Sequence, residues 1–499
     1  MAVWRQGVAL VAGGASVLAY APLGWFPVVF AALGVLFWLL GPALPVVDAG
    51  RRRRAADGFT VGFAWGLGAM LGGVSWLYVA LNRYGGMPMP LAALAILLFC
   101  AVVGLFAGFA GAAFGALRRG RASPDALLFA ACWLVFEWTR GWIFTGFPWL
   151  AVGYSQTPPS PLAGFAPLFG VFGVGGLVAL VAALAVAAGL ARRWRPALVA
   201  LVVVGAGFGL RQIAWTAPVG APVKVALLQT NIEQGLKWRP ELLQQWLERN
   251  LAMLRDNPAQ LVVLPETTIP LLIDHLPPGY LEAAGRLAAR SGGDAILGTF
   301  TRDGDGHIFN AAISLGSSPS GHYVKQHLVP FGEYSPPLFR WFYDLAQIPM
   351  ADQTRGAERQ PPLALAGQKI AINICYEDVF GEELIRSLPE ATLLLNLSNL
   401  AWYGDSLAQP QHLQIARLRA LETGRPMLRS TNTGMTAVVA PDGRVEAVLP
   451  AFVAGALHAE VRGYQGLTPY ARWGNWPAVG AALLVIAGFA ARRWRVAPR

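Results

Sequence analysis

Long apolar blocks separated by arginine clusters constrain this chain more than any motif does. Blocks 7–22, 24–41, 58–82, 90–117, 124–139, 162–190 and 195–214 fill the first part of the 499 residues, and 474–491 follows a long polar stretch. Roughly 20 apolar residues cross the hydrocarbon core of a bilayer, so each block reads as a membrane helix and the set as an eight-span bundle. Block 7–22 reads as a retained first span, because Pro22 directly follows the leader-like Ala19-Tyr20-Ala21 and another apolar block comes next. Composition agrees: 55% of residues are hydrophobic and 13% charged, with a mean hydropathy of +0.46. That is too apolar for one soluble domain.

Charge orients the bundle. Arg51 to Arg54, then Arg118, Arg119 and Arg121, then Arg192, Arg193 and Arg195, then Arg492, Arg493, Arg495 and Arg499 mark every second boundary, while the alternate loops hold isolated arginines such as Arg83 and Arg140. The positive-inside rule places both termini in the cytoplasm and the polar stretch outside, which in a bacterium means the periplasmic face. The net charge of +11 is held largely by these anchoring clusters, so no nucleic-acid partner is called for. Three domains follow: 1–216 with seven spans, 217–470 as an outer domain, and 471–499 with the eighth span and a basic tail.

Within the spans, Gly58, Gly62 and Gly66, and then Gly104, Gly108, Gly111 and Gly115, recur at spacings that let helices approach closely. Glu137 and Arg140 stand three apart at the outer end of the fifth span, followed by Trp142, Phe144, Phe147, Pro148, Trp149 and Tyr154. The plain reading is an interfacial aromatic belt. The functional reading is a lipid-entry floor, with Arg140 near a phosphate and Trp142, Phe147 and Trp149 as lipid contacts.

From about residue 223 short β-rich runs alternate with amphipathic helices. Strands are predicted at 223–229, 261–264, 295–300, 311–315, 322–325, 370–374, 392–397, 427–431 and 437–440, with helices near 240–254, 279–291, 381–387 and 409–423. This alternation implies a layered α/β domain with helices covering sheets. The stretch 332–359, with Pro336, Pro337, Trp341, Phe342 and Tyr343, has the composition of a movable cover.

Three of the predicted strands end in a reactive side chain: Glu266 after Val262-Val263-Leu264-Pro265, Lys325 after Tyr323-Val324, and Cys375 after Ile370 to Ile374. A carboxylate, an ammonium and a thiol are the parts of a thiol acyl-transfer site: a base, an oxyanion partner and a nucleophile. Taken alone, a strand-end cysteine is more often a small core hydrophobe. Yet Cys375 is the single cysteine of the outer domain, since Cys100 and Cys132 lie in spans, and it has no disulfide partner there. Lysine is also scarce, with Lys224, Lys237, Lys325 and Lys369 the only four among 39 basic residues, so a lysine at a strand end marks a need for a compact charge. The six histidines show no metal-ligand spacing, and no serine elbow, phosphate loop or dinucleotide fingerprint occurs; neither a metal nor a cofactor is expected.

Four segments add a resemblance. Asn231-Ile232-Glu233-Gln234-Gly235-Leu236-Lys237-Trp238, Leu264-Pro265-Glu266-Thr267, Lys325 through Tyr334, and Cys375-Tyr376-Glu377, together with the span pattern, resemble the bacterial apolipoprotein N-acyltransferases, in which a nitrilase-superfamily domain is carried on eight spans. The resemblance implies an α-β-β-α sandwich, a catalytic Glu266–Lys325–Cys375 triad, and supporting roles for Glu333, Tyr376, Glu377 and Trp238. It implies transfer of a fatty acyl group from a phospholipid, through a thioester, to the α-amino group of a diacylglyceryl-cysteine apolipoprotein, by a monomer without cofactor. The chain departs from the family pattern at Leu400 and at Ala408-Gln409. The same triad acting with water would make a membrane-tethered amidase, and a bundle serving as transporter or receptor would leave the triad idle.

Overall fold

The computed structural model describes residues 3–42, 50–335 and 352–494. The chain forms two units: Met1–Ser75, Pro90–Ala214 and Pro469–Arg499 in one, Trp76–Met89 and Trp215–Thr468 in the other.

The first unit is helical, and each apolar block supplies a helix: Val3–Ser16, Pro27–Leu39, Arg51–Val74, Met89–Leu117, Ala122–Arg140, Ala166–Ala191, Trp194–Leu210 and Trp476–Trp494. Among the described residues, two helices are long and apolar enough to cross a membrane, Met89–Leu117 and Pro161–Ala191, or three if the bent pair Arg51–Val74 plus Leu77–Tyr84 is one span. Val3–Ala19, Pro27–Leu39, Trp194–Leu210 and Trp476–Ala491 are apolar but shorter. The protein is membrane-associated. The single span expected over 58–82 is broken instead, since its helix stops at Val74 and Trp76–Met89 joins the second unit. Spaced glycines explain the packing of Arg51–Val74 on Met89–Leu117: a Cβ on Gly58 would strike the Gly111 carbonyl, and one on Gly62 the Ala107 carbonyl.

The second unit holds two six-stranded sheets among the described residues. The first runs β12-β1-β2-β3-β4-β5, from β1 (Ala217–Gln229), β2 (Leu261–Val263), β3 (Asp294–Arg302), β4 (Ile308–Gly316), β5 (His322–Val324) and β12 (Gly455–Gln465). The second runs β11-β10-β9-β8-β7-β6, from β6 (Leu363–Leu365), β7 (Gln368–Ile374), β8 (Leu393–Ser398), β9 (Met427–Thr431), β10 (Ala437–Val439) and β11 (Val445–Val448).

Period-two alternation decides what each face touches. Val225, Leu227, Val263 and Ile296 meet Ile370, Ile372, Ile374, Leu395 and Leu428 between the sheets. Their alternates Ala226, Leu228, Val262 and Leu297 pack on Leu247, Leu254, Ala284 and Ala288 of helices Leu243–Asp256 and Tyr280–Ala289. On the far side Ala371, Leu394 and Met427 pack on Leu413, Ala416 and Ala420 of helix Ala408–Thr423. The result is an α-β-β-α sandwich. The central strands β1–β2–β3 and β7–β8–β9 include the parallel pairs β1–β2, β2–β3, β7–β8 and β8–β9, so β2, β7 and β8 end side by side with their parallel neighbours in their sheets. The cover residues Pro336, Pro337, Trp341, Phe342 and Tyr343 lie outside the described residues.

Candidate active site

Glu266 stands three residues past β2, in a tight turn. Thr267 has φ 50, and Gly298 of β3 lies beneath, where a Cβ would come within 2.6 Å of the Pro265 oxygen and 2.7 Å of the Glu266 Cα. A larger residue at 298 would displace Glu266. The Glu266 carboxylate is buried, and its oxygens take separate donors: Oε1 accepts from Asn310 Nδ2 at 2.9 Å and Lys325 Nζ at 3.2 Å, while Oε2 accepts from the Asn399 N–H at 2.8 Å.

Lys325 follows β5, and its own N–H donates to the Asn310 carbonyl at 2.9 Å. Its side chain is 0% exposed, and Nζ also donates to Glu333 Oε1 at 2.6 Å. Glu333 is fixed in turn by the Val329 N–H, 2.8 Å from Oε2. Burial alone would pull the Lys325 ammonium down, but the charges of Glu266, Glu333 and Cys375 outweigh it and hold the ammonium well above its ordinary range. Burial pushes Glu333 up, against the pull of Lys325.

Cys375 directly follows β7 with φ 54, a left-handed conformation that turns the chain sharply into the 3-10 segment Cys375–Val379. It is half-buried, and its carbonyl accepts from Asn396 Nδ2 at 3.0 Å. Burial and the neighbouring Glu266 charge raise the thiol well above its usual range, with Lys325 and the Asn399 N–H acting the other way. At rest the sulfur keeps its proton, so it reacts only with a base beside it.

Glu377 binds the two halves of the site together. Oε1 accepts from the N–H groups of Gln326 at 2.7 Å and His327 at 3.1 Å, Oε2 from the Ile374 N–H at 2.6 Å, and both oxygens lie near 3 Å from the Tyr323 hydroxyl. The segment after Lys325 is thereby tied to the residue before Cys375. Burial pushes the Glu377 carboxyl up to about 7 against those N–H donors. Tyr376 is half-buried, edge-on to Phe380 at 5.1 Å and His327 at 5.9 Å. Trp238 sits 6.0 Å from Phe300, and its indole N–H is buried without a hydrogen-bond partner among the described residues.

The second unit thus brings Glu266, Lys325, Glu333, Cys375 and Glu377 together, with Tyr376 next to Cys375 in the chain and Trp238 packed on Phe300. The four lipid-contact candidates belong to the helical unit, where the structure gives most of them another employment. Arg140 is 5% exposed, with Nη1 donating to the carbonyls of Phe147 at 2.8 Å and Trp149 at 2.7 Å and Nη2 facing Glu137 at 3.7 Å. Trp149 is buried, Phe147 stands edge-on to Phe99, and Trp142 alone of the four is exposed, beside Phe144. Arg140 therefore shapes the loop from within rather than presenting a cation at its surface.

Several site residues escape sequence reading. Lys237 is buried and donates to the Glu266 carbonyl at 3.3 Å. Asp378, inside the turn that starts at Cys375, is fully buried between Arg429 Nη1 and His412 Nε2, both at 2.7 Å. Tyr403, which burial and the Cys375 charge push up, packs on Trp76 at 4.6 Å. Lysine scarcity sets Lys237 apart as one of four lysines without giving it a place at the site; nothing in local sequence marks the others. The Leu400 departure leaves the Glu266 contact intact, because Asn399 donates through its main chain. A metal-like grouping among the described residues, Asp303, Asp305 and His307, is an exposed turn whose Asp303 already accepts from its neighbours.

Residues 12–184 match the family described as Apolipoprotein N-acyltransferase N-terminal domain, and residues 224–470 the family described as Carbon-nitrogen hydrolase. The apolipoprotein N-acyltransferase of Ralstonia nicotianae is 45% identical over 488 residues, covering 96% of this chain and 91% of that protein. The corresponding protein of Nitrosomonas europaea is 44% identical, covering 99% and 98%, and that of Chromobacterium violaceum 44%, covering 90% and 89%.

Proposed function

This chain belongs to the apolipoprotein N-acyltransferase family, and from that premise we propose that it moves a fatty acyl group from a phospholipid to the N-terminal amine of diacylglyceryl-cysteine apolipoproteins, with Cys375 as carrier. The observation that carries the reading is the convergence of Glu266, from one chain segment, and of Lys325 and Glu333, from another, on a thiol held in a strained turn at the start of a third.

In the first half-reaction Glu266 takes the thiol proton as Sγ attacks the ester carbonyl carbon of the donor. The oxyanion of the tetrahedral intermediate faces the Lys325 ammonium, held protonated by its two carboxylates. Collapse breaks the C–O bond, and the departing lysophospholipid oxygen takes the proton back from Glu266. A thioester remains. In the second half the neutral α-amine of the acceptor adds to the thioester carbonyl, Glu266 accepts its proton, the C–S bond breaks and the sulfur is reprotonated. The product is an amide. Glu333 holds Lys325, Glu377 holds the Cys375 turn in register with Lys325, and the indole N–H of Trp238 is available to substrate.

In the same reading all eight apolar blocks span the bacterial inner membrane, 1–216 and 471–499 forming the membrane domain. The alternating arginine clusters support a periplasmic 217–470 and cytoplasmic termini. The protein acts as a monomer. Exposed Trp142 and Phe144 make the loop's lipid contact, with Arg140, Phe147 and Trp149 setting its shape.

The test supplies phospholipid with a labelled acyl chain and a diacylglyceryl-cysteine peptide. Labelled peptide amide is expected as the main product; labelled free fatty acid, or hydrolysis of simple amides at comparable rate, would favour the amidase reading.

A further inference from the structure

One buried ionisable group beside the site takes no part in those steps. Lys237 is 2% exposed, at the end of the short helix Gln234–Lys237, and its hydrogen bond among the described residues is to the main-chain carbonyl of Glu266 at 3.3 Å. A buried ammonium gives up hydration that one carbonyl at that distance replaces only in part. Burial draws Lys237 down to about 7, while the charges of Glu266 and Cys375 work against that fall. For folding alone, an unbranched apolar side chain of similar length would serve the position better.

Two features show what the ammonium does there. The peptide it grips is the one whose Cα carries the base, in a turn with φ 50 at Thr267 and pressed against Gly298. Holding that carbonyl fixes the direction in which the Glu266 side chain leaves the main chain. The second feature is charge. In their ordinary ionised forms Glu266 and Glu333 face the single cation Lys325, a surplus of one negative charge, whereas Glu377 has its own N–H and O–H donors. Proton transfer from Cys375 to Glu266 moves that surplus to the sulfur without removing it. A second ammonium, Lys237, held 3.3 Å from the Glu266 carbonyl and under the charge of both groups, closes the balance.

We propose that Lys237 is a positioning residue for acyl transfer: its ammonium pins the Glu266 peptide and balances the negative charge shared by Glu266 and Cys375 while the thiolate forms. This rests on the function proposed above.

The test uses Lys237→Met in the full-length protein, with thermal unfolding, acyl loading of Cys375 from phospholipid, and the pH dependence of Cys375 alkylation by iodoacetamide read by mass. Glu266, Glu333, Lys325 and Tyr403, which also bear on that thiol, stay in place. The unfolding midpoint should hold or rise, the saturated loading rate should fall about 30-fold, the scale of one lost charge-assisted hydrogen bond, and half-saturation by donor should not change. Below about pH 7, where Lys237 carries its charge, alkylation should be slower than in the wild type, and above that the two profiles should converge. Lys237→Gln, which keeps a donor without the charge, should recover part of the loading rate but none of the lost alkylation rate, and it serves the same comparison should the Met variant fold poorly. Wild-type loading in a stable variant overturns the proposal, as does a loading loss that tracks a lowered midpoint with an unmoved alkylation profile. Failure of the wild type to load at all would instead refute the acyl-transfer reading, and the alkylation profile would still report whether Lys237 acts on Cys375.

Discussion

Each unit buries a carboxylate against a cation, and the two clusters behave differently because their charge stoichiometry differs. In the helical unit Glu137 and Arg140 face one another at 3.7 Å, and nearby main chain does the rest: the Phe147 and Trp149 carbonyls accept from Arg140, and the Val152 N–H donates to Glu137. One anion meets one cation, and these three main-chain bonds run to the loop that follows their helix. In the second unit Lys325 faces two carboxylates at 3.2 and 2.6 Å, with a thiol under the influence of all three. The first arrangement is closed, since removing either partner strands a buried charge. The second has more proton sites than one fixed pattern can satisfy, so protons can shift among them, which a two-step acyl transfer requires.

The contrast is broken most severely at Glu266. Glu266→Gln keeps the shape but cannot take the thiol proton, and acyl loading of Cys375, followed by intact mass, should fall about 1,000-fold. Loading at the wild-type rate would move the base role to another carboxylate. Lys325→Arg preserves charge but puts a planar guanidinium where two carboxylates close around one ammonium, and loading should drop about 100-fold, as when an oxyanion donor is removed. Wild-type turnover would make Lys325 a structural cation. Arg140→Ala tests the closed cluster. It should lower stability by about 3 kcal/mol through the stranded Glu137, while turnover per folded molecule falls less than about tenfold, as for a residue that shapes the lipid-contact loop without touching lipid. Loss of turnover without loss of stability would restore Arg140 as a lipid contact.

How much of this the sequence disclosed depends on whether a residue's role is local. Glu266, Lys325 and Cys375 are legible because each ends an apolar run, and β1 to β5 and β7 to β10 lie where β-rich runs are predicted. β6, β11 and β12 are not predicted: β6 and β11 are only three and four residues long, while β12 alternates apolar and polar residues from Leu457 to Arg462 and is readable as an edge strand. Arg140 was misleading for a different reason. Its partners are carbonyls of a loop that doubles back through Phe144, Thr145 and Leu150, all at positive φ, and carbonyl direction leaves no mark on residue type. The helix break after Val74 falls within an apolar run without proline. Asp378, His412 and Arg429 come from three distant segments and meet only once the second sheet and its helix are stacked.

The central claim is that Cys375 carries the acyl group between two separate half-reactions. With phospholipid present and acceptor withheld, the Cys375 peptide of the wild-type protein should gain the mass of one fatty acyl group, and a diacylglyceryl-cysteine peptide should then discharge it into a peptide amide. Acyl transfer to that peptide at near wild-type rate by Cys375→Ala, with no adduct on any residue, would contradict it.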